Sequence, residues 1–221
     1  MTVSLVLADV STVASLATAG GTLVLALATF SSTRSANRAA RVSEQALNVG
    51  LRPLLFNARP QDPPQKVGFI DDQWLQLRDG LAAARESDDK LYMAIPLRNV
   101  ASGIAVLHGW NLQPRSARTE HPAPPEQFRR LQRDLYVPAG DISFWQAAIR
   151  DPEDELYQPV REAIEQGSSI SIDVLYGDHE GGQRTITRFN LTPRAHAENQ
   201  EPWLWRCATS RHWNLDRADP R

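Results

Sequence analysis

The sequence predicts a mainly β domain that follows an N-terminal transmembrane helix. Three observations lead to this prediction. An apolar run without charged residues extends from Val10 to Thr33. After Leu51 the pattern changes to short alternating runs that are broken by proline, glycine and aspartate. Within Ser169–Thr192, the turn sequence His-Glu-Gly-Gly separates two alternating runs, as in a β-hairpin. Together these features predict antiparallel strands in a sandwich or barrel behind a membrane anchor.

Residues 10–33 have the length and composition of a membrane-spanning helix. As a helix this segment extends about 36 Å, against a hydrocarbon core of roughly 30 Å. Two alternatives stay open. A cleaved signal peptide fits Ala26-Leu27-Ala28, but no basic residue precedes the apolar run. A helix buried in a globular domain would normally carry a polar face. A membrane anchor is therefore the preferred interpretation.

The charges around the span predict its orientation. The basic residues that follow it are Arg34, Arg38, Arg41 and Arg52, with only Glu44 among them. No basic residue precedes it, so the positive-inside rule places residues 1–9 outside the cell and the C-terminal domain in the cytoplasm. The single cysteine, Cys207, excludes an intramolecular disulfide and agrees with a reducing compartment. The predicted location is the cell membrane, with a single pass.

Residues 34–50 are predicted to form a helical juxtamembrane stalk that ends at Gly50. Small residues also recur at four-residue spacing along the apolar run, at Ala14, Thr18, Thr22 and Ala26. Such a stripe lets two helices approach closely, which makes a homodimer through the transmembrane helix a possible arrangement. The alternative is that small residues are simply frequent in a weakly apolar span. The expected contacts of this part of the chain are the lipid bilayer and a second copy of the helix.

The soluble domain is predicted to cover residues 51–215, with a C-terminal tail at 216–221. The expected strands are Pro53–Ala58, Trp74–Arg78, Leu91–Asn99, Ala105–Gln113, Arg133–Val137, Ser143–Ala148, Ser169–Tyr176, Arg184–Thr192 and Trp203–Leu215. Asp151–Gly167 is predicted to be helical, with a break or kink at Pro159. Gly80–Asp89 is expected to be a short helix or a loop, and Ser116–Gln127 is expected to be a proline-rich connection.

Side-chain alternation predicts which residues face the core. In the hairpin, Ile170, Ile172, Val174 and Tyr176 share one face of the first strand. Thr185, Thr187, Phe189 and Leu191 share one face of the second strand. In the last strand, Trp203, Trp205, Cys207 and Thr209 are expected on one side, and Leu204, Ala208 and His212 on the other. Tryptophans at this spacing indicate core packing more often than a ligand platform.

A resemblance to a known family is carried by three segments. They are IPLRNVASGIAVLHGW (Ile95–Trp110), the hairpin YGDHEGGQRTITRFNL and the terminal RHWNLD. The chain resembles an uncharacterised bacterial family of small single-pass membrane proteins. The resemblance implies an antiparallel, immunoglobulin-like β-sandwich behind the helix and stalk, and it implies no activity. Ala101 departs from the glycine that is common at its position. Asn99 and Gly103 are interpreted as residues of a tight turn.

No pattern in the sequence indicates catalysis, a cofactor or a metal. The chain has no P-loop, no GxGxxG and no GxSxG elbow. The only candidates are Asp178, His179 and Glu180 at the hairpin tip, where a polar turn is the commoner explanation. The basic run Arg129, Arg130 and Arg133 is interpreted as a solvated face, and the net charge of -2 gives no reason to expect nucleic-acid binding.

The leading functional hypothesis is a membrane-tethered protein-interaction or accessory module that is not an enzyme. Its expected partner is a membrane or cytoplasmic protein. Two alternatives are an enzyme whose site is assembled from distant loops and a small subunit of a larger membrane complex.

Overall fold

The structure is a computed structural model that describes residues 2–113, 121–194 and 201–218. The chain forms two compact units, Met1–Val49 and Gly50–Arg221. In the first unit, helix α1 (Thr2–Gly50) runs without a break. Its section Ser15–Leu47 is exposed and contains a window of mean hydropathy 1.3, so it is long and apolar enough to cross a membrane. The predicted stalk is therefore a direct continuation of the apolar helix.

The second unit consists mainly of strands. They are β1 (Leu55–Asn57), β2 (Gln65–Gly68), β3 (Trp74–Leu77), β4 (Ala82–Ser87), β5 (Lys90–Asn99), β6 (Ala105–Gln113), β7 (Arg129–Val137), β8 (Ile142–Ile149), β9 (Ile170–Asp178), β10 (Arg184–Thr192) and β11 (Leu204–Asn214). Helix α2 (Tyr157–Glu165) lies between β8 and β9, and a 3₁₀ turn occupies Pro125–Gln127. Part of the predicted proline-rich connection, residues 116–120, lies outside the described residues.

Nine of the strands form one curled antiparallel sheet in the order β1-β5-β4-β11-β10-β9-β6-β7, with β8 also paired to β5. The remaining two, β2 and β3, form a separate hairpin. The predicted sandwich requires two separate sheets, but here the strands continue from one side of the core to the other as a half-barrel. The antiparallel, mainly β prediction is confirmed, whereas the two-sheet arrangement is replaced by curling of a single sheet.

The predicted hairpin is confirmed as β9 and β10, which pair antiparallel from Ile170↔Leu191 to Gly177↔Arg184. The inner face of this hairpin supplies the centre of the core. Its four apolar residues on β9 pack with Phe189, Leu191 and Trp145 in one buried cluster. Helix α2 adds Tyr157 and Val160 to the same cluster, and so covers part of the half-barrel.

The prediction of a helix or loop at Gly80–Asp89 is wrong, because most of this segment forms strand β4. Ala83 to Ser87 pair with Lys90 to Ala94 of β5. The connecting residues Asp88 and Asp89 have φ angles of 52° and 54°, which is the geometry of a two-residue hairpin turn. Alanine has the highest helix propensity of all residues, but propensity is a small effect and pairing between two buried strands outweighs it.

Helix α2 is shorter than predicted, and Pro159 does not break it. The helix begins at Tyr157, so Pro159 lies in its first turn, where the backbone N–H would have no helical partner. The acidic residues form the preceding turns, in which the Asp154 carboxylate accepts a hydrogen bond from Leu156 N at 2.9 Å. Gly167, with φ 61°, follows the helix end as predicted.

A β-bulge in β11 changes the predicted alternation of its side chains. Arg188 pairs with Arg211, but Phe189 pairs with Thr209, so Ser210 is an extra residue. The bulge places His212 on the same face as Thr209, where its Nδ1 lies 2.7 Å from Thr187 Oγ1. The predicted placement of His212 on the opposite face is therefore wrong. The alternation fails because an inserted residue reverses the orientation of every residue after it.

A buried ion pair crosses the outer face of the β9–β10 hairpin. Arg188 donates to Asp173 through Nε at 2.6 Å and Nη2 at 2.7 Å, and both residues are almost fully buried. The guanidinium also lies 4.9 Å from the centroid of the Trp213 ring. Trp213 packs in a second cluster with Phe128, Leu175 and Ile186. This pair therefore lies within an apolar layer outside the main core.

Asn99 and Gly103 have the structural role that their sequence predicts. Asn99 is fully buried, and its Nδ2 donates to Gly103 O at 2.6 Å and to Val137 O at 3.1 Å. A Cβ on Gly103 would lie 1.6 Å from Leu51 O. Glycine is required here by the close passage of the backbone at Leu51, and the φ of Gly103 is not positive.

Arg52 belongs to the folded domain. Its side chain forms an ion pair with Asp216 and donates hydrogen bonds to Thr185 Oγ1 at 3.2 Å and Asn214 Oδ1 at 3.1 Å. It joins the first residues of the domain to β10 and to the residues after β11. The charge asymmetry that predicts orientation therefore depends on Arg34, Arg38 and Arg41, because Arg52 is already paired.

Candidate functional site

The predicted candidates at the hairpin tip form a turn. Asp178 is buried, and its Oδ1 accepts from Gly182 N at 2.9 Å and Gln183 N at 3.3 Å. Gly181 has a positive φ of 78°, while Gly182 does not. His179 Nε2 and Glu180 Oε1 lie 3.5 Å apart and are exposed. The Asp178 carboxylate is therefore already hydrogen-bonded to backbone N–H groups of its own turn.

Among the residues that the structure describes, no set of metal-binding side chains is brought together. Across residues 2–113, 121–194 and 201–218, no three or more histidines, cysteines and carboxylates are placed to hold a metal ion. Cys207 packs against the core, and burial raises the pKa of its thiol well above the ordinary range. A thiol of this kind stays protonated and is a poor nucleophile.

A groove of about 870 Å³ lies between strands β7 and β8, with the β2–β3 hairpin along one side. We call it the β7–β8 groove. In the part of the chain that the structure describes, β7 pairs only with β6 and β8 only with β5, so these two strands are the ends of the curled sheet. Among the described residues, no backbone hydrogen bond joins β7 to β8. The half-barrel is therefore open along this line.

Strand β7 leaves its own ladder where it borders the groove. Leu107 pairs with Leu135 and Gly109 with Arg130, so residues 131–134 lie opposite His108 alone. A bulge of this size turns the strand away from regular pairing. Side chains from it reach β8: Arg133 Nη2 donates to Gln146 Oε1 at 2.9 Å, and Arg150 Nη1 lies 3.5 Å from Gln132 Oε1. The two edges are joined by side chains instead of a backbone ladder.

The groove has an aromatic floor and an exposed apolar rim. Trp110 lines the floor and packs edge-on against buried Trp145, with 5.7 Å between the ring centroids. On the rim, Ile70 is 88% exposed and Trp74 is 53% exposed. Both rim residues belong to the β2–β3 hairpin region, which places apolar surface beside the open strand edges.

The charge of the groove is opposite in sign to that of the whole chain. Its lining contains five basic side chains and two carboxylates, an excess of three positive charges. The basic residues are Lys66, Arg129, Arg130, Arg133 and Arg150. Arg129 pairs with Asp154 at 2.5 Å and Arg150 pairs with Asp71 at 3.2 Å. Within the described part of the chain, the other three have no carboxylate at ion-pair distance.

Asp71 fixes the β2–β3 hairpin beside the groove. Its carboxylate accepts from Tyr92 Oη at 2.5 Å on β5 and from Arg150 Nε at 3.2 Å after β8. Burial by itself raises the pKa of Asp71, but the hydrogen bonds from Tyr92 and Arg150 together outweigh it and lower the pKa to about 2. Burial and the same carboxylate raise the pKa of Tyr92 to about 12.

The sequence contains a signal for this site, but its interpretation requires the fold. The run Arg129, Arg130 and Arg133 is interpreted from sequence as a solvated face, yet these residues line the groove. Strand β7 begins at Arg129, four residues earlier than predicted. Strand β2, which carries Lys66, is missed because its four residues, Gln65–Gly68, hold only one buried side chain, Val67. Arginines inside an edge strand are the signal that points to this surface.

The fold and groove define a class of protein: a half-barrel with an open, basic strand edge, in a chain with one N-terminal apolar helix. Comparison with protein-family models, curated proteins and solved structures gives no match for this chain. The function of this protein is therefore inferred from the geometry of the groove.

Proposed function

We propose that this protein is a membrane-tethered interaction module that binds a protein partner in the β7–β8 groove. The observation that carries the proposal is the pair of unpaired strand edges facing one another across this groove. Open edges are surfaces on which another polypeptide can form backbone hydrogen bonds. The exposed side chains of Ile70 and Trp74 give such a partner apolar contacts at the rim.

Helix α1 supplies the tether in this proposal. It inserts once, with its N-terminus outside and the β domain in the cytoplasm, as the arginines at 34, 38 and 41 favour. Confinement to the membrane raises the effective concentration of the groove for partners in the same membrane. The resemblance to small single-pass bacterial proteins with an immunoglobulin-like domain supports a β domain that is tethered to the membrane by an N-terminal helix.

Site-specific photo-crosslinking in living cells tests this function. A photoreactive amino acid is placed at Arg130 on the groove or at Arg206, an exposed residue of β11, in the full chain. We expect one discrete protein adduct from position 130, which a tag on that partner recovers reciprocally, and none from position 206. Removal of residues 10–33 should reduce the yield of the adduct. No adduct at 130, or the same adducts from both positions, contradicts the proposal.

A further inference from the structure

We infer that the partner of the β7–β8 groove presents an extended, acidic segment that adds to the sheet as a strand along the free edge of β8. This inference rests on the proposed function and specifies the chemistry of its ligand. Three independent properties of the groove support it: the free backbone of one edge, the excess of positive charge, and the weak contacts that now bridge the two edges.

The backbone of β8 selects a polypeptide. Ile142 to Ile149 pair with β5 on one side only, so alternate N–H and C=O groups on the other side have no strand partner in the described chain. The repeat of such groups matches an extended peptide. A lipid headgroup or a phosphodiester backbone lacks the regular alternation of N–H and C=O groups along an extended chain that matches this edge. The edge therefore favours a peptide over other anions.

The charges of the groove select acidic side chains. Arg130 and Arg133 project from β7 and Lys66 from β2, and none of the three has a carboxylate partner at ion-pair distance among the described residues. Side chains of a bound strand alternate in direction, so acids at every second position would face these cations. The intervening positions would point to the opposite face of β8, where Trp110 packs against Trp145. The expected pattern is an alternation of acidic and apolar residues.

The groove opens at low cost in free energy. The contacts between the facing edges include the exposed hydrogen bond from Arg133 to Gln146 and the long contact from Arg150 to Gln132. Each exposed contact of this type contributes little to stability. Bound carboxylates would replace Gln146 as the acceptor for Arg133, so the arginine exchanges a neutral acceptor for a charged one.

Selection of peptides on the full chain in lipid nanodiscs tests the inference. A library of random peptides is bound to the wild-type protein and then depleted on the Arg130→Glu variant. We expect the enriched peptides to carry Asp or Glu at alternate positions and to lack proline. The affinity of an enriched peptide should fall roughly fivefold to tenfold in Arg130→Glu and in Arg133→Glu, because charge reversal removes one exposed attraction and adds a repulsion of similar size. Arg206→Glu, a matched charge reversal on β11, should leave the affinity unchanged.

A backbone-methylated form of the enriched peptide separates strand addition from simple charge attraction. N-methylation at alternate residues removes the donors on one edge of the peptide, so we expect binding to be lost. Equal binding of the methylated peptide overturns strand addition. Enrichment without acidic residues, no enrichment, or equal competition by anionic vesicles or single-stranded DNA overturns the inference as a whole.

The two proposals fail in distinguishable ways. If position 130 crosslinks to a partner in cells but the selected peptides are not acidic, the interaction function stands and the ligand chemistry is wrong. If acidic peptides bind through the backbone but no partner is crosslinked, the groove chemistry stands and the cellular function is wrong.

Discussion

The Arg133 guanidinium donates a hydrogen bond of 2.9 Å to the Gln146 side chain, and this contact spans two strands that share no backbone hydrogen bond. Arg133 also lies with its guanidinium carbon 5.7 Å from the centroid of the Phe144 ring. The two ends of the curled sheet are therefore connected at this point through side chains. The consequences of this relationship can be measured separately from partner binding.

Arg133→Ala is expected to change the free energy of unfolding by less than about 1 kcal/mol, because the contact is exposed and single. Loss of the bridge should nevertheless loosen the two edges, so amide hydrogen exchange should accelerate in β7 and β8. Arg206→Ala, on an exposed part of β11, is the control and should change neither quantity. A large loss of stability in Arg133→Ala would show that the contact between β7 and β8 holds the domain together, so that the groove is not an opening.

Asp173→Ala is expected to destabilise the domain by about 3–5 kcal/mol, because it leaves the Arg188 charge in an apolar layer without its carboxylate. The measurement is urea denaturation. Replacing both residues, as in Asp173→Leu with Arg188→Met, should recover most of the loss. The control is Arg78→Ala, which removes an exposed ion pair with Glu201 and should cost less than about 1 kcal/mol. A double variant as unstable as Asp173→Ala would contradict this explanation.

Gly103→Ala is expected to cost more than about 2 kcal/mol, because the new Cβ would lie 1.6 Å from Leu51 O. The matched control is Gly182→Ala, where the nearest atom would be 3.8 Å away. The control should change stability by less than about 1 kcal/mol in either direction. Thermal unfolding of both variants gives the comparison, and equal unfolding temperatures would refute the close approach at Leu51.

Acid is expected to release the β2–β3 hairpin through Asp71. The pKa of Asp71 is depressed to about 2 in the folded protein, from 3.8. Its contribution to stability is therefore present above about pH 4 and is lost as the pH falls through about 2. Asp71→Asn should cost about 1–3 kcal/mol at neutral pH and should lose less further stability on acidification than the wild type.

Hydrogen exchange in β2 and β3 is the local measurement of this release. It should increase in Asp71→Asn at neutral pH. The control Asp72→Asn alters the adjacent carboxyl, and asparagine tolerates the positive φ of 57° at that position. If Asp72→Asn loosens the hairpin as much as Asp71→Asn, the Asp71 contacts do not fix it.

The full chain is expected to remain with membranes after alkaline carbonate extraction, and a chain without residues 10–33 should be released. A reporter protein fused after Arg221 should be active if it is of a type that functions in the cytoplasm, and inactive if it is of a type that functions only outside the cytoplasm. Activity outside the cytoplasm would reverse the proposed orientation, and a mature N-terminus near Thr29 would show that the apolar run is a cleaved signal peptide. The homodimer through the helix stays a prediction, for which crosslinking of single cysteines along the helix is the measurement.

The elements predicted best are those whose information is local. The Ser169–Thr192 hairpin follows from alternation and from the tip sequence, and the bonding of Asn99 to backbone groups follows from turn chemistry, whereas the need for glycine at 103 comes from the close passage of Leu51. The prediction for Gly80–Asp89 is wrong because its alanines favour a helix locally, whereas its strand pairing depends on β5 and β11. His212 was placed on the wrong face because the bulge at Ser210 is set by its pairing with β10.

The sequence by itself determined the apolar helix and the antiparallel, mainly β character of the domain, because hydrophobic periodicity and turn residues act over a few neighbouring positions. Only the tertiary structure decided that the strands curl into one open sheet, and that Arg130, Arg133 and Lys66 line one groove. Pairing between distant strands is set by packing over the whole domain, so residues far apart in the sequence meet in a surface that no local pattern specifies.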